Sequence, residues 1–111
     1  MAINKTHKID KFVAQLDGLS YLEVINYCNL EAARSRFLLR SFKPNDPREG
    51  VVSQYHRFVN ETSYFFSRGT LPTTMSRTDF LRLKPIAETL AARGEWRKDS
   101  LAVFAPRVSA V

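Results

Sequence analysis

The chain has 111 residues, 44% apolar and 25% charged, with 17 Lys and Arg against 11 Asp and Glu for a net charge of +6. That length suits one domain, and the balance of apolar to charged residues is that of a globular rather than a disordered chain. The lone cysteine, Cys28, excludes an intrachain disulfide framework and favours a reducing compartment.

The N-terminus, Met1 to Lys8, turns polar at once and lacks the apolar stretch of a signal peptide. No segment approaches the ~20 apolar residues that span a bilayer. A cytoplasmic protein with no membrane association is therefore expected, and the sequon Asn60-Glu61-Thr62 is read as a chance match. Eight Phe, four Tyr and one Trp predict an aromatic-rich core, because each such ring buries roughly 150–250 Å².

The first predicted helix covers about Lys8 to Asp17, where Ile9, Phe12, Val13 and Leu16 fall at i, i+3, i+4 and i+7. Thr6 is its expected cap and Gly18 its left-handed stop, with 1–7 expected to be flexible. A second helical stretch, Tyr21 to Arg40, opens on a capping box formed by Ser20 and Glu23. Tyr21, Val24, Ile25, Cys28, Ala32 and Leu39 share one face, whereas Leu22, Tyr27, Leu30, Phe37 and Leu38 spread around the others. Such a segment is either one helix, central or at an interface, or two helices broken near Asn29.

After the loop Lys43-Pro44-Asn45-Asp46, a third helix is expected with Asp46 as N-cap, Pro47 in the first position and Glu49 three residues after the cap. Its apolar face is Val51, Val52, Tyr55, Phe58, Val59, Thr62, Phe65 and Phe66, and Gly69 ends it. Ser76 with Asp79 opens a fourth, Arg77 to Arg93, burying Phe80, Leu83, Ile86, Ala87, Leu90 and Ala91. Pro85 lies on its polar side and predicts a kink or a break into two short helices. A short fifth helix is expected at Arg97 to Phe104, with Trp96 packing nearby, Pro106 closing it and 107–111 flexible. No segment alternates with the period of a strand. The expected fold is all-α, a single compact bundle of about five helices spanning 1–111.

The two histidines, His7 and His56, have no metal-ligand spacing with Cys28 or with a carboxylate. There is no Gly-rich phosphate loop, no His-Glu-x-x-His and no Gly-x-Ser-x-Gly. The acids are spread singly, so no general acid–base pair is indicated. His56 reads as a half-buried packing residue and Cys28 as a small hydrophobe. No enzyme, cofactor or metal is expected.

Positive charge is concentrated between Arg34 and Lys43, where Arg34, Arg36, Arg40 and Lys43 are interleaved with Phe37 and Phe42 and no acid intervenes. Guanidinium groups bind phosphates and stack on bases, so this segment is the leading candidate for a polyanion contact. Arg36 and Arg40 share a helix face, whereas Arg34 points away from both. Arg57, Tyr64 and Arg68 form a second cluster on the third helix, weakened by Glu61 on the same face, and Arg93, Arg97 and Lys98 a third. The competing view of each is a solvated helix face whose Arg stems cover apolar surface. A helix-turn-helix over Ser20 to Arg40 would turn at Cys28-Asn29, but the turn lacks Gly and Ser35 stands where a buried aliphatic belongs.

The leading expectation is a non-catalytic module that contacts nucleic acid or a ribonucleoprotein through this Arg-rich helix. The alternative is a small interaction factor, an inhibitor or accessory subunit, that binds an acidic protein surface through the same arginines and Tyr27, Leu30, Phe37 and Leu38. A homodimer through helix 21–40 belongs to the same alternative.

Overall fold

A computed structural model describes residues 5–96, which form four helices: α1 (Lys5–Leu16), α2 (Tyr21–Ser41), α3 (Glu49–Arg68) and α4 (Arg77–Ala92). The class is all-α, with no strand among the described residues. There are four helices rather than about five; the expected fifth, at 97–104, and the tail 107–111 lie outside the described residues. Among those residues no helix is long and apolar enough to cross a membrane.

α1 begins at Lys5, so Thr6 lies inside the helix rather than capping it. Gly18 adopts the anticipated left-handed backbone at φ +81°. Ser20 caps α2 as expected: its hydroxyl accepts the Glu23 N–H at 3.2 Å, and its own N–H donates to the Glu23 carboxylate at 2.9 Å. α2 then runs unbroken through Cys28 and Asn29, which removes both the two-helix alternative and the helix-turn-helix. The reason is lateral packing. Val24, Cys28, Ala32 and Ser35 form a buried stripe along α2, and all but Val24 are small side chains. Pairing a break there would expose a stripe that α3 otherwise covers.

The start of α2 lies by the end of α3, where the Tyr21 hydroxyl donates to the Phe66 carbonyl, and its later residues meet earlier ones. Asn29 accepts from Ser63, Glu31 accepts from Tyr55, and Ser35 meets His56. The two helices are therefore antiparallel. Between them, the entry to α3 differs from the expected one: Asn45 takes a left-handed φ of 68° and the α-helix starts at Glu49, not at Pro47. Asp46 still fastens this turn. Its carboxylate accepts the Arg48 N–H at 2.9 Å and the Arg48 guanidinium at 2.8 Å. Those bonds, side chain first, hold the Asp46 carboxyl down at about 2.

α4 is capped by Ser76, whose hydroxyl accepts the Asp79 N–H at 3.1 Å, and it continues through Pro85 as one helix rather than two. Pro85 is exposed, so water can serve the carbonyl that its missing N–H leaves free. The core is aromatic, as the composition predicted. Phe12 meets Tyr55 and Phe58 edge-on, and Phe65 meets Phe80 and Trp96 edge-on, with ring centres 4.9–5.9 Å apart. Trp96 Nε1–H and the Tyr21 hydroxyl both donate to the Phe66 carbonyl, tying the chain after α4 to the start of α2. Cys28 is fully buried, and burial pushes its thiol up to about 12. It packs as a small hydrophobe.

Candidate functional site

Whether an arginine on a helix is free depends first on what stands three and four residues away. Arg34 has Glu31 at i−3 and pairs with it at 3.1 Å. Arg36 has Ala32, Ala33, Leu39 and Arg40 at those positions, and Arg40 has Arg36 and Phe37 behind it. Arg36, Arg40 and Lys43 are accordingly exposed, and none of them is in an ion pair among the described residues. The predicted cluster thus divides. Arg34 belongs to a link in which the Glu31 carboxylate also accepts the Tyr55 hydroxyl at 2.6 Å, while the other three cations face water.

Beside Arg36 stands His56 of α3. Ser35 donates its hydroxyl hydrogen to the Glu31 carbonyl at 2.8 Å, so the 2.6 Å contact with His56 Nδ1 is read as the ring N–H donating to Ser35. Nε2 then accepts from the Asn60 amide at 3.0 Å. Every polar atom in this row is matched by a neutral imidazole. Ser35 is only 4% exposed with its hydrogen already committed, so the pair is an interhelical link and not an activated nucleophile.

Burial, and then the charge of Arg36, keep the His56 pKa below its ordinary value. The unfolded chain, with His near ~6.5, therefore takes up the proton first as the pH falls. The contribution is complete above that value and is lost progressively below it, until the folded protein also protonates. The melting temperature is expected to drop between neutral and mildly acidic pH, and His56→Gln should flatten that slope. An unchanged slope in the variant would assign the titration to another group.

The second predicted cluster also divides. Arg68 lies over the exposed Tyr64 ring at 5.2 Å. Arg57 instead donates to the Thr74 carbonyl at 3.1 Å and pairs with Glu61 at 3.5 Å. Glu61 does not spread negative charge over this face, as the sequence implied, because it is 7% exposed and holds the Thr74 hydroxyl. At about 100° per residue, His56, Asn60 and Ser63 lie on α3 between the α2 edge and the Tyr64–Arg68 edge. The cations Arg36 and Arg40 are thus separated from Arg68 by a neutral polar floor, with Glu49 the acid nearest its end. In the third cluster Arg93 is tied to the Leu19 carbonyl at 2.6 Å and to Glu95 at 3.1 Å, while Arg97 and Lys98 lie outside the described residues.

Two grooves border these elements. One of about 480 Å³, between α1, α2 and α3, is lined by Lys8, Glu31, Arg34, Phe37, Leu38 and Tyr55 among others. The other, about 350 Å³, contains Arg57, Glu61, Asp79 and Arg82, whose charges are matched among themselves and with Asp10. Sequence reasoning missed the His56–Asn60 floor, because it depends on two helices meeting. It anticipated Leu30, Phe37 and Leu38 as exposed apolar contacts, and all three are exposed. Tyr27, grouped with them, is instead half-buried and stacks on Phe12 with ring centres 5.4 Å apart.

No family model, curated protein or solved structure matches the chain. The chain is an all-helical protein with an arginine-edged polar face on α2 and α3.

Proposed function

We propose that this chain is a non-catalytic binding module that engages nucleic acid or a ribonucleoprotein through the C-terminal half of α2. One observation supports the reading above the rest: Arg36, Arg40 and Lys43 stand in water with no acidic partner among the described residues. Cations of this kind displace condensed counterions from phosphates, and the neutral floor of His56, Asn60 and Ser63 does not repel phosphate oxygens, with the second amide hydrogen of Asn60 left to donate to them. A cytoplasmic setting suits the lone, buried thiol of Cys28.

The test is fluorescence anisotropy of labelled single- and double-stranded oligonucleotides across a salt series. Arg36→Ala/Arg40→Ala/Lys43→Ala is expected to weaken binding at low salt by about tenfold or more and to lower the magnitude of the salt slope by about 2–3. Arg34→Ala, which breaks an existing ion pair, should have a smaller effect. The reading is lost if the wild type fails to bind at low salt or if the triple variant binds as it does.

An interaction factor for an acidic protein surface is the second reading. It is favoured by Leu30 and Phe37, which lie exposed beside the same cations.

A further inference from the structure

The outward side of α2 carries Leu22, Asn26, Leu30, Ala33 and Phe37, at successive spacings of four, four, three and four residues. Steps of three and four residues keep these side chains on one side of the helix, as a packing seam requires. All five side chains are exposed, Leu22 to 70%, Leu30 to 54% and Phe37 to 76%, and no described residue covers the stripe. Three large exposed apolar side chains on one side of a helix twenty-one residues long, interrupted by a single amide, mark an interface more often than a solvated surface.

We propose that this stripe is the seam of a homodimer, in which α2 packs antiparallel against α2 of a second copy across a two-fold axis near Leu30. The order of charges selects both the occupant and the direction. Glu23 and Arg34 lie on one edge of the stripe, with Arg36 and Arg40 toward the other. In a two-fold antiparallel pair, each edge meets the same edge of the other copy in reverse order. Glu23 therefore faces Arg34 of the second copy, and this occurs twice. Arg36 and Arg40 face the uncharged Asn26 and Leu22. A parallel pair would instead set this edge against the Arg36–Arg40 edge of the second copy, and Glu23 would have no cation at its own level. With Leu30 at the centre, Phe37 covers Leu22 of the second copy and Ala33 covers its Asn26, so large residues meet large and the amide meets a small side chain.

The arrangement has a consequence for the cationic face. Both copies present Arg36 and Arg40 on the same side of the dimer, the two pairs roughly 24 Å apart along the helices at ~1.5 Å per residue. The dimer itself rests on the apolar seam and the order of charges, not on the polyanion reading, so either can fail alone.

The experiment is sedimentation equilibrium of the full chain, free of nucleic acid, from low micromolar to near-millimolar concentration. A reversible monomer–dimer equilibrium is expected. Phe37→Glu should weaken it by at least ~30-fold, the loss typical of an anchoring aromatic side chain. Arg34→Glu should weaken it by about fivefold, as should Glu23→Gln, which keeps an oxygen for the Ser20 cap, and combining Glu23→Arg with Arg34→Glu should restore it. Circular dichroism checks that each variant keeps its helical content, and Leu30→Lys replaces any variant that does not. A chain that stays monomeric throughout overturns the proposal. So does a dimer that is indifferent to the seam substitution, or a charge exchange that fails to restore association.

Discussion

Phe65→Ala is expected to destabilise the domain by about 3–5 kcal/mol, the usual cost of truncating a fully buried aromatic. Phe65 is completely buried, and its ring touches Phe66, Phe80 and Trp96 at centre distances of 5.1, 5.8 and 4.9 Å. These contacts join α3 to α4 and to the segment beyond it, so the cavity would open where three parts of the chain converge. Neighbouring rings can collapse only partly into such a space, because Trp96 is held by its hydrogen bond to the Phe66 carbonyl. Set against a total stability of about 5–15 kcal/mol for a domain of this kind, the loss is a large share of the whole. Urea denaturation followed by circular dichroism measures it. Phe37→Ala, on the solvent side of α2, is the matched control and should change monomer stability by no more than about 0.5 kcal/mol. Equal costs for the two substitutions would mean that the aromatic cluster does not hold the fold.

The second large effect concerns space rather than its loss. Cys28→Phe is expected to cost at the upper end of the roughly 1–3 kcal/mol seen for overpacked cores. Cys28 is fully buried in the stripe of Val24, Cys28, Ala32 and Ser35 that lies against α3. A phenyl ring there would push α2 outward and lengthen the contacts that depend on close approach, Ser35 with His56 and Glu31 with Tyr55. The variant should therefore lose the His56-dependent pH slope as well as stability. Cys28→Ala, which removes a sulfur atom and adds nothing, should be milder in stability and keep that slope. If Cys28→Phe melted with the wild type, α2 and α3 would not be set by this stripe.

The helix starts at Ser20 and Ser76 were legible because a cap is settled within four residues, by a hydroxyl reaching a backbone N–H. The start of α3 was misjudged by two residues for a related reason. Asp46 does bind the backbone N–H two positions on, but the left-handed Asn45 sends the chain through a turn before the helix. The candidate site shows the same division. That Arg34 pairs while Arg36 and Arg40 do not follows from the residues three and four positions away. That Glu61 turns inward to Thr74, and that Tyr27 stacks on Phe12, depends on segments 13 and 15 residues distant.

By itself the sequence determined the all-α class, the buried faces of α1, α3 and α4, the aromatic core and the concentration of positive charge near the end of α2. Each of these follows from helical periodicity or from interactions within one or two turns. Only the tertiary structure decided that α2 is unbroken, that its small-residue side lies against α3, and that His56 and Asn60 form a floor beside Arg36. A helix apolar on several sides carries no local mark of which side a neighbour will cover, because burial is a property of the pair.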